Sequence, residues 1–167
     1  MSFELMPAAL SHWDEMLASS KQIDSLALTF WQEERPLQGV AGLVDWRLCG
    51  GLSRLITAGH ASGQADDSIM MLAGPQLPFV KVFLFGLGPE PKMYAFDYTA
   101  TSLKVRDVLN RAGVHSYALQ LPGRATGLIA PRRAAELWQE MDGAQDEQVI
   151  VVDTKEACKE IAEHLDF

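Results

Sequence analysis

The chain has few cysteines, and it has fewer basic than acidic residues. Its two cysteines, Cys49 and Cys158, lie far apart, and each falls among apolar neighbours in a helical pattern. We therefore expect both to be small buried apolar side chains, since neither has the close partner of a zinc or redox motif. Lys and Arg number 14 against 22 Asp and Glu, a net charge of −8. This balance argues against nucleic acid as a partner, because such binding depends on basic side chains that neutralise phosphates.

Long apolar segments are missing as well. No apolar run approaches the ~20 residues that cross a bilayer. Residues 1–4 also show no positive region followed by an apolar core, which a secretory signal would have. We expect a cytoplasmic protein with no membrane contact.

The residue patterns of common catalytic centres are also absent. The four histidines have no i,i+4 pairing and no nearby cysteine, so a metal site is not expected; they are His12, His60, His115 and His164. The serines lack the context of a nucleophile elbow. Asp66 and Asp67 lie in a predicted turn and are expected to be solvated. The sequence therefore predicts no catalytic residue, no metal ligand and no cofactor.

What the sequence does contain is an alternation of strand and helix patterns. Short runs rich in β-forming residues predict strands at 26–31, 68–73, 79–85, 116–121 and 148–152. Apolar spacing of three and four predicts helices over 40–56, up to Ala112, from Pro131 to Gly143, and near the C-terminus. Residues 3–5 suggest an edge strand and residues 12–17 a short helix. Such an alternation predicts one α/β domain over 1–167, with a mostly parallel sheet and helices on both faces.

Three local features lead to further expectations. Gly50 and Gly51 fall inside the predicted helix 40–56 and are expected to allow close packing, not to break it. Asp153 and Glu156 have the spacing of a capping box at the start of the last helix. Trp46 lies off the apolar stripe of its helix, so it is a candidate contact to another subunit or partner.

A longer series of motifs resembles a known family. The series begins with Leu37-Gln38-Gly39 and the helix over 45–55, continues with Gly59 and Gly63, and ends in strand 82–85 followed by Gly86-Leu87-Gly88. This order resembles the N-terminal domain of the leucine aminopeptidases. The resemblance implies a macro-domain-like, three-layer α/β/α sandwich with a mixed, mostly parallel sheet. It also implies a non-catalytic domain that supports assembly, because the two metal ions of that family belong to a separate C-terminal domain.

A second resemblance concerns the run from Leu121 to Gly127, followed by Pro131 and Ala134-Ala135. It is similar to the phosphate-binding loop and following helix of ADP-ribose-binding macro domains. The chain departs from them at 30–34 (Phe-Trp-Gln-Glu-Glu), where two acids stand in place of the Asn-Ala-Ala-Asn region. Loops 86–89 and 122–128 are thus either plain turns or an anion site. The candidate ligand residues are Gly86, Gly88, Gly123, Arg124, Thr126 and Gly127.

These observations lead to one functional hypothesis and two alternatives. The leading hypothesis is a non-catalytic domain that serves assembly or protein interaction, with self-association or a protein partner. The first alternative is a binder of a nucleotide or ADP-ribose-like diphosphate through loops 86–89 and 122–128. The second is a subunit that works beside a full-length aminopeptidase.

Overall fold

The computed structural model describes residues 2–91, 96–141 and 146–165. Its sheet has six strands in the order β1-β6-β5-β2-β4-β3, with every neighbouring pair parallel except the antiparallel pair β3–β4. The strands are β1 (Ser2–Pro7), β2 (Ile23–Phe30), β3 (Ser68–Leu72), β4 (Phe79–Gly86), β5 (Ser116–Leu119) and β6 (Gln148–Asp153). The predicted mixed, mostly parallel sheet is confirmed, and the N-terminal segment is indeed an edge strand.

Within the described residues, six helices cover the two faces of this sheet. They are α1 (Leu10–Ala18), α2 (Gly39–Arg47), α3 (Gly51–Thr57), α4 (Tyr98–Arg111), α5 (Pro131–Glu140) and α6 (Lys155–His164). Buried side chains of α1, α2 and α3 form one apolar cluster with the sheet, and those of α4, α5 and α6 form a second. The result is the three-layer α/β/α sandwich that the sequence predicts. Pro131 opens α5 as expected, whereas the predicted end at Gly143 lies outside the described residues.

The predicted helix over 40–56 is two helices, so the expectation for its glycines was wrong. The chain leaves α2 at Leu48, and α3 begins at Gly51. Between them Cys49 has a φ of 51° and Gly50 a φ of 82°. Positive φ values of this kind cannot continue a right-handed helix, so the glycine marks a break. The break also turns Cys49 outward, and its expected burial is wrong, whereas Cys158 is buried.

The predicted capping box at the start of α6 is also wrong. Thr154 is the capping residue, and its hydroxyl accepts a hydrogen bond from the backbone N–H of Ala157. Asp153 is the last residue of β6, and its carboxylate is held by Arg124. The side chain of Asp153 therefore forms a long-range ion pair with Arg124 and does not form the cap of α6 that the local spacing had predicted.

Candidate functional site

The carboxyl ends of the parallel strands lie at one edge of the sheet, where open α/β sheets usually bind ligands. Strand β2 is central, between β4 and β5. Three loops therefore meet this edge side by side, namely 31–38 after β2, 87–91 after β4 and 120–130 after β5. Both predicted ligand loops belong to this edge, one on each side of the end of β2.

The N–H groups of loop 86–89 are already used within the protein. Gly86 donates to the carbonyl oxygen of Asp67 at 2.8 Å, Leu87 to that of Phe30 at 2.9 Å, and Gly88 to that of Gly63 at 2.8 Å. Gly88 has a φ of 82°, the conformation expected of a turn glycine. A Cβ on Gly86 would stand 2.1 Å from the carbonyl oxygen of Gln64. Both glycines thus have a structural reason that involves no ligand.

Loop 122–128 is tied down by its arginine. The Nε of Arg124 donates to Oδ2 of Asp153 at 2.8 Å, and its Nη1 donates to the carbonyl oxygen of Ile129 at 2.8 Å. Asp153 is 1% exposed, so the ion pair lies largely out of water. The guanidinium that the anion-site alternative would use for a phosphate holds its own loop against the end of β6.

The space between loops 31–38 and 122–128 is filled by aromatic side chains. Trp31 is 3% exposed, and its indole Nε1 donates to Oγ1 of Thr126 at 3.1 Å. Its ring meets that of Phe96 edge to face, with 5.3 Å between centroids. Phe96 in turn packs against Gly123. A Cβ added to Gly123 would stand 2.9 Å from Cε1 of Phe96. Trp31 was missed as a site residue, although a tryptophan directly after a buried strand needs an acceptor for its N–H.

The six candidate ligand residues fall into two groups. Gly123, Arg124, Thr126 and Gly127 share one loop, and Thr126 is the one that bonds to Trp31. Gly86 and Gly88 pack on the segment 63–67 instead. A cavity of about 220 Å³ near Gly86 lies between the end of β4 and α4, and no residue of loop 122–128 lines it. The binding role of all six residues stays a prediction.

Glu34 is the least compensated polar group at this edge. It is 6% exposed, and neither carboxylate oxygen makes a hydrogen bond within the described chain. Burial raises its pKa to about 7, and the negative charge of Glu90 adds to the rise. Arg35 and the backbone N–H of Gln38 oppose it. The loop after β2 therefore holds a carboxyl group that changes charge near neutral pH.

Two further classes of feature are absent from the described ranges. Among these residues, no three His, Cys, Asp or Glu side chains are grouped so that they could hold a metal ion. Within the same ranges, no helix has the length and apolar character needed to cross a membrane.

Comparison with known proteins identifies the fold. No family model and no curated protein matches the sequence. Among solved structures, a mutant of tomato leucine aminopeptidase matches 99% of this chain with a TM-score of 0.59 and 16% identity. The match covers 36% of the tomato chain, its N-terminal domain. The macrodomain of DarG from Mycobacterium tuberculosis matches 80% of this chain and 91% of its own, with a TM-score of 0.52 and 14% identity. The predicted macro-domain-like fold of an aminopeptidase N-terminal domain is confirmed, and identities this low carry no more than the fold.

Proposed function

We propose that this domain works by associating with another protein chain and has no catalytic activity of its own. The observation that carries the proposal is the exposed apolar edge of the sheet at β3. Met70 is 53% exposed and Leu72 is 70% exposed, both on an edge strand. The strand itself (Ser-Ile-Met-Met-Leu) contains no charged residue and no proline. Natural proteins usually protect an edge strand with such residues, so an unprotected one suits a partner.

The backbone of β3 supports the same reading. Ala73 donates to the carbonyl oxygen of Val80, and the carbonyl oxygen of Asp67 accepts from Gly86. Alternate residues of an antiparallel pair face the neighbouring strand. Residues 67, 69, 71 and 73 therefore turn toward β4. Ser68, Met70 and Leu72 turn their N–H and C=O groups to the open edge, where another strand could bind them.

Binding of an ADP-ribose-like diphosphate is less well supported. Such a ligand needs free N–H groups and a cationic side chain. In loop 86–89 three N–H groups have carbonyl partners, and Arg124 is held by Asp153. The buried Trp31 occupies the space beside loop 122–128 and bonds to its Thr126. We expect calorimetry with ADP-ribose to give no saturable heat; a saturable signal abolished by Arg124→Ala would support this alternative instead.

The association can be tested with two purified partners. The immobilised domain is exposed to itself and to a full-length leucine aminopeptidase from the same source, and binding is followed by interferometry. We expect binding to one of them, lost in the double variant Met70→Lys with Leu72→Lys. Leu103→Lys is the matched control, because Leu103 is an exposed leucine that belongs to helix α4 and not to strand β3. Trp46→Lys tests the rival face that the exposed Trp46 offers on α2.

Two results would overturn the proposal. One is a domain that stays monomeric at every concentration and binds neither partner. The other is metal-dependent cleavage of a leucyl amide by the purified domain, which would show that it has chemistry of its own.

A further inference from the structure

The open edge of β3 is complementary to itself, which points to the identity of the partner. We infer that a second copy of this chain binds here, with the two β3 strands antiparallel and a two-fold axis passing through Met70. The inference rests on the proposed association through this edge. It goes further by naming the partner, the strand direction and the register.

The hydrogen-bonding groups of the edge determine the register. The outward-facing residues of β3 are Ser68, Met70 and Leu72, so they alternate along the strand. Placing Met70 opposite its own copy also places Ser68 opposite the second copy's Leu72. All three outward residues of each strand then exchange N–H and C=O bonds across the axis. If the register of the two strands shifted by one residue, residues with outward N–H and C=O groups would lie opposite residues whose groups face β4. If it shifted by two residues, one outward residue of each strand would have no residue of the other strand opposite it.

The side chains of β3 agree with this register. On the face that carries the exposed side chains, Met70 would meet Met70, and Leu72 would meet Ser68 of the second copy. On the other face, the partly buried Ile69 would meet Met71. Apolar pairs directly opposite each other stabilise a sheet, and like charges would destabilise it. The contact covers the two most exposed apolar side chains of the strand and brings no two charges together.

The charges next to β3 favour the antiparallel direction. Asp66 and Asp67 precede the strand, and Lys81 on β4 is the residue opposite Leu72 near its other end. A parallel pair would place the four carboxylates of the two copies side by side. An antiparallel pair places the two acidic ends at opposite ends of the contact, so the carboxylates of the two copies do not meet. A closed two-fold contact of this kind is the commonest form of self-association.

Cysteine cross-linking tests the register directly. The Cys49→Ser background removes the exposed native thiol, whereas Cys158 is buried. Met70→Cys then places two thiols on the axis, with Cα atoms about 5.5 Å apart, within the range of a disulfide. We expect mild oxidation to give a dimer that a reductant reverses. Leu72→Cys is the matched control, because its two copies would lie roughly 14 Å apart along the strands and cannot bond to each other.

The experiment separates this inference from the function it rests on. Equal cross-linking of Met70→Cys and Leu72→Cys, or none in either, overturns the register and the second copy as partner. If the full-length aminopeptidase still binds and the double lysine variant abolishes that binding, the proposed function survives this failure. Cross-linking of Met70→Cys alone, with a mixture of Ser68→Cys and Leu72→Cys also giving a dimer, supports the arrangement in full.

Discussion

Two buried carboxylates near the carboxyl ends of the strands differ in how their charge is compensated. Asp153 accepts hydrogen bonds from Arg124 and from the backbone N–H of Thr154. Glu34 accepts none within the described chain. Burial, with the nearby charge of Glu90, penalises the ionised form of Glu34 more than Arg35 and the backbone N–H of Gln38 favour it, so its pKa is raised. The same edge of the sheet therefore carries one carboxylate that stabilises the fold when charged and one that opposes it.

The raised pKa of Glu34 predicts a loss of stability with rising pH. Its pKa is 4.5 in the unfolded chain and about 7 in the folded one. Between these values the folded state holds a proton that the unfolded state has released. The contribution of Glu34 to the free energy of unfolding therefore falls by about 3 kcal/mol as pH rises through this range. Denaturant unfolding across this range measures the fall.

The variant Glu34→Gln should flatten this pH dependence, because it removes the titrating group. Glu160→Gln is the control, since Glu160 is exposed on α6 and its removal should leave the slope unchanged. A wild-type slope retained in Glu34→Gln would assign the effect to another group.

The Arg124–Asp153 pair leads to a second prediction for single residues. Arg124→Ala should lower the free energy of unfolding by about 3–5 kcal/mol, because Asp153 would be left charged and buried without a cation. Arg132→Ala is the control, because Arg132 pairs with Glu136 on the exposed surface of α5; it should cost less than about 1 kcal/mol. Equal costs measured by denaturant unfolding would mean that Arg124 does not tie its loop to β6.

Strands and helices could be predicted from the sequence wherever the local residue pattern alone determines the structure. The buried strands β2 and β4 follow from short apolar runs, and the edge strand β1 and helix α1 from weaker versions of the same signals. The break between α2 and α3 was missed because apolar spacing continues across Cys49 and Gly50. Their positive φ values are set by the packing of two helices on one face of the sheet.

The candidate site was less predictable for a related reason. The sequence correctly placed both candidate loops at the ends of strands. Whether Trp31 packs against loop 122–128 depends on the path of the loop after β2, and Arg124 finds its partner on strand β6, which lies further along the chain. Contacts of this kind arise only when distant segments meet.

The close approach of β4 to the segment 63–64 leads to a prediction about the packing between them. Gly86→Ala should destabilise the fold by about 3 kcal/mol, because its methyl group would collide with a backbone carbonyl. Gly113→Ala is the matched control, since Gly113 has a φ of 72° but open space where a Cβ would stand. It should cost only about 1 kcal/mol, from backbone conformation alone. Thermal unfolding distinguishes the two; equal losses would contradict the close approach.

The charge of the whole molecule determines how the proposed self-association should depend on salt. Each chain carries a net charge of −8, so two copies repel each other at long range. The charged groups beside β3 already have partners in their own chain, Asp66 with Lys104 and Lys81 with Asp24. Screening should therefore act mainly on the repulsion between whole chains.

We expect the dimer to tighten several-fold as ionic strength rises from low to physiological and above. Sedimentation at a series of salt concentrations measures the change in dissociation constant. The double variant Met70→Lys with Leu72→Lys should stay monomeric throughout. Weakening of the wild-type dimer by salt would instead mean that ion pairs between copies hold it together.

The pairing of β1 has a consequence for the order in which the chain assembles. Strand β1 leaves the ribosome before the other described strands, yet its only neighbour in the described sheet is β6, with Ser2 opposite Gln148. Contacts so distant along a chain form slowly, because a long loop must close first. The β1–β6 pair therefore cannot form until nearly all of these residues have been translated. Until then the nascent polypeptide carries an unsatisfied strand, which makes it a candidate for chaperone capture.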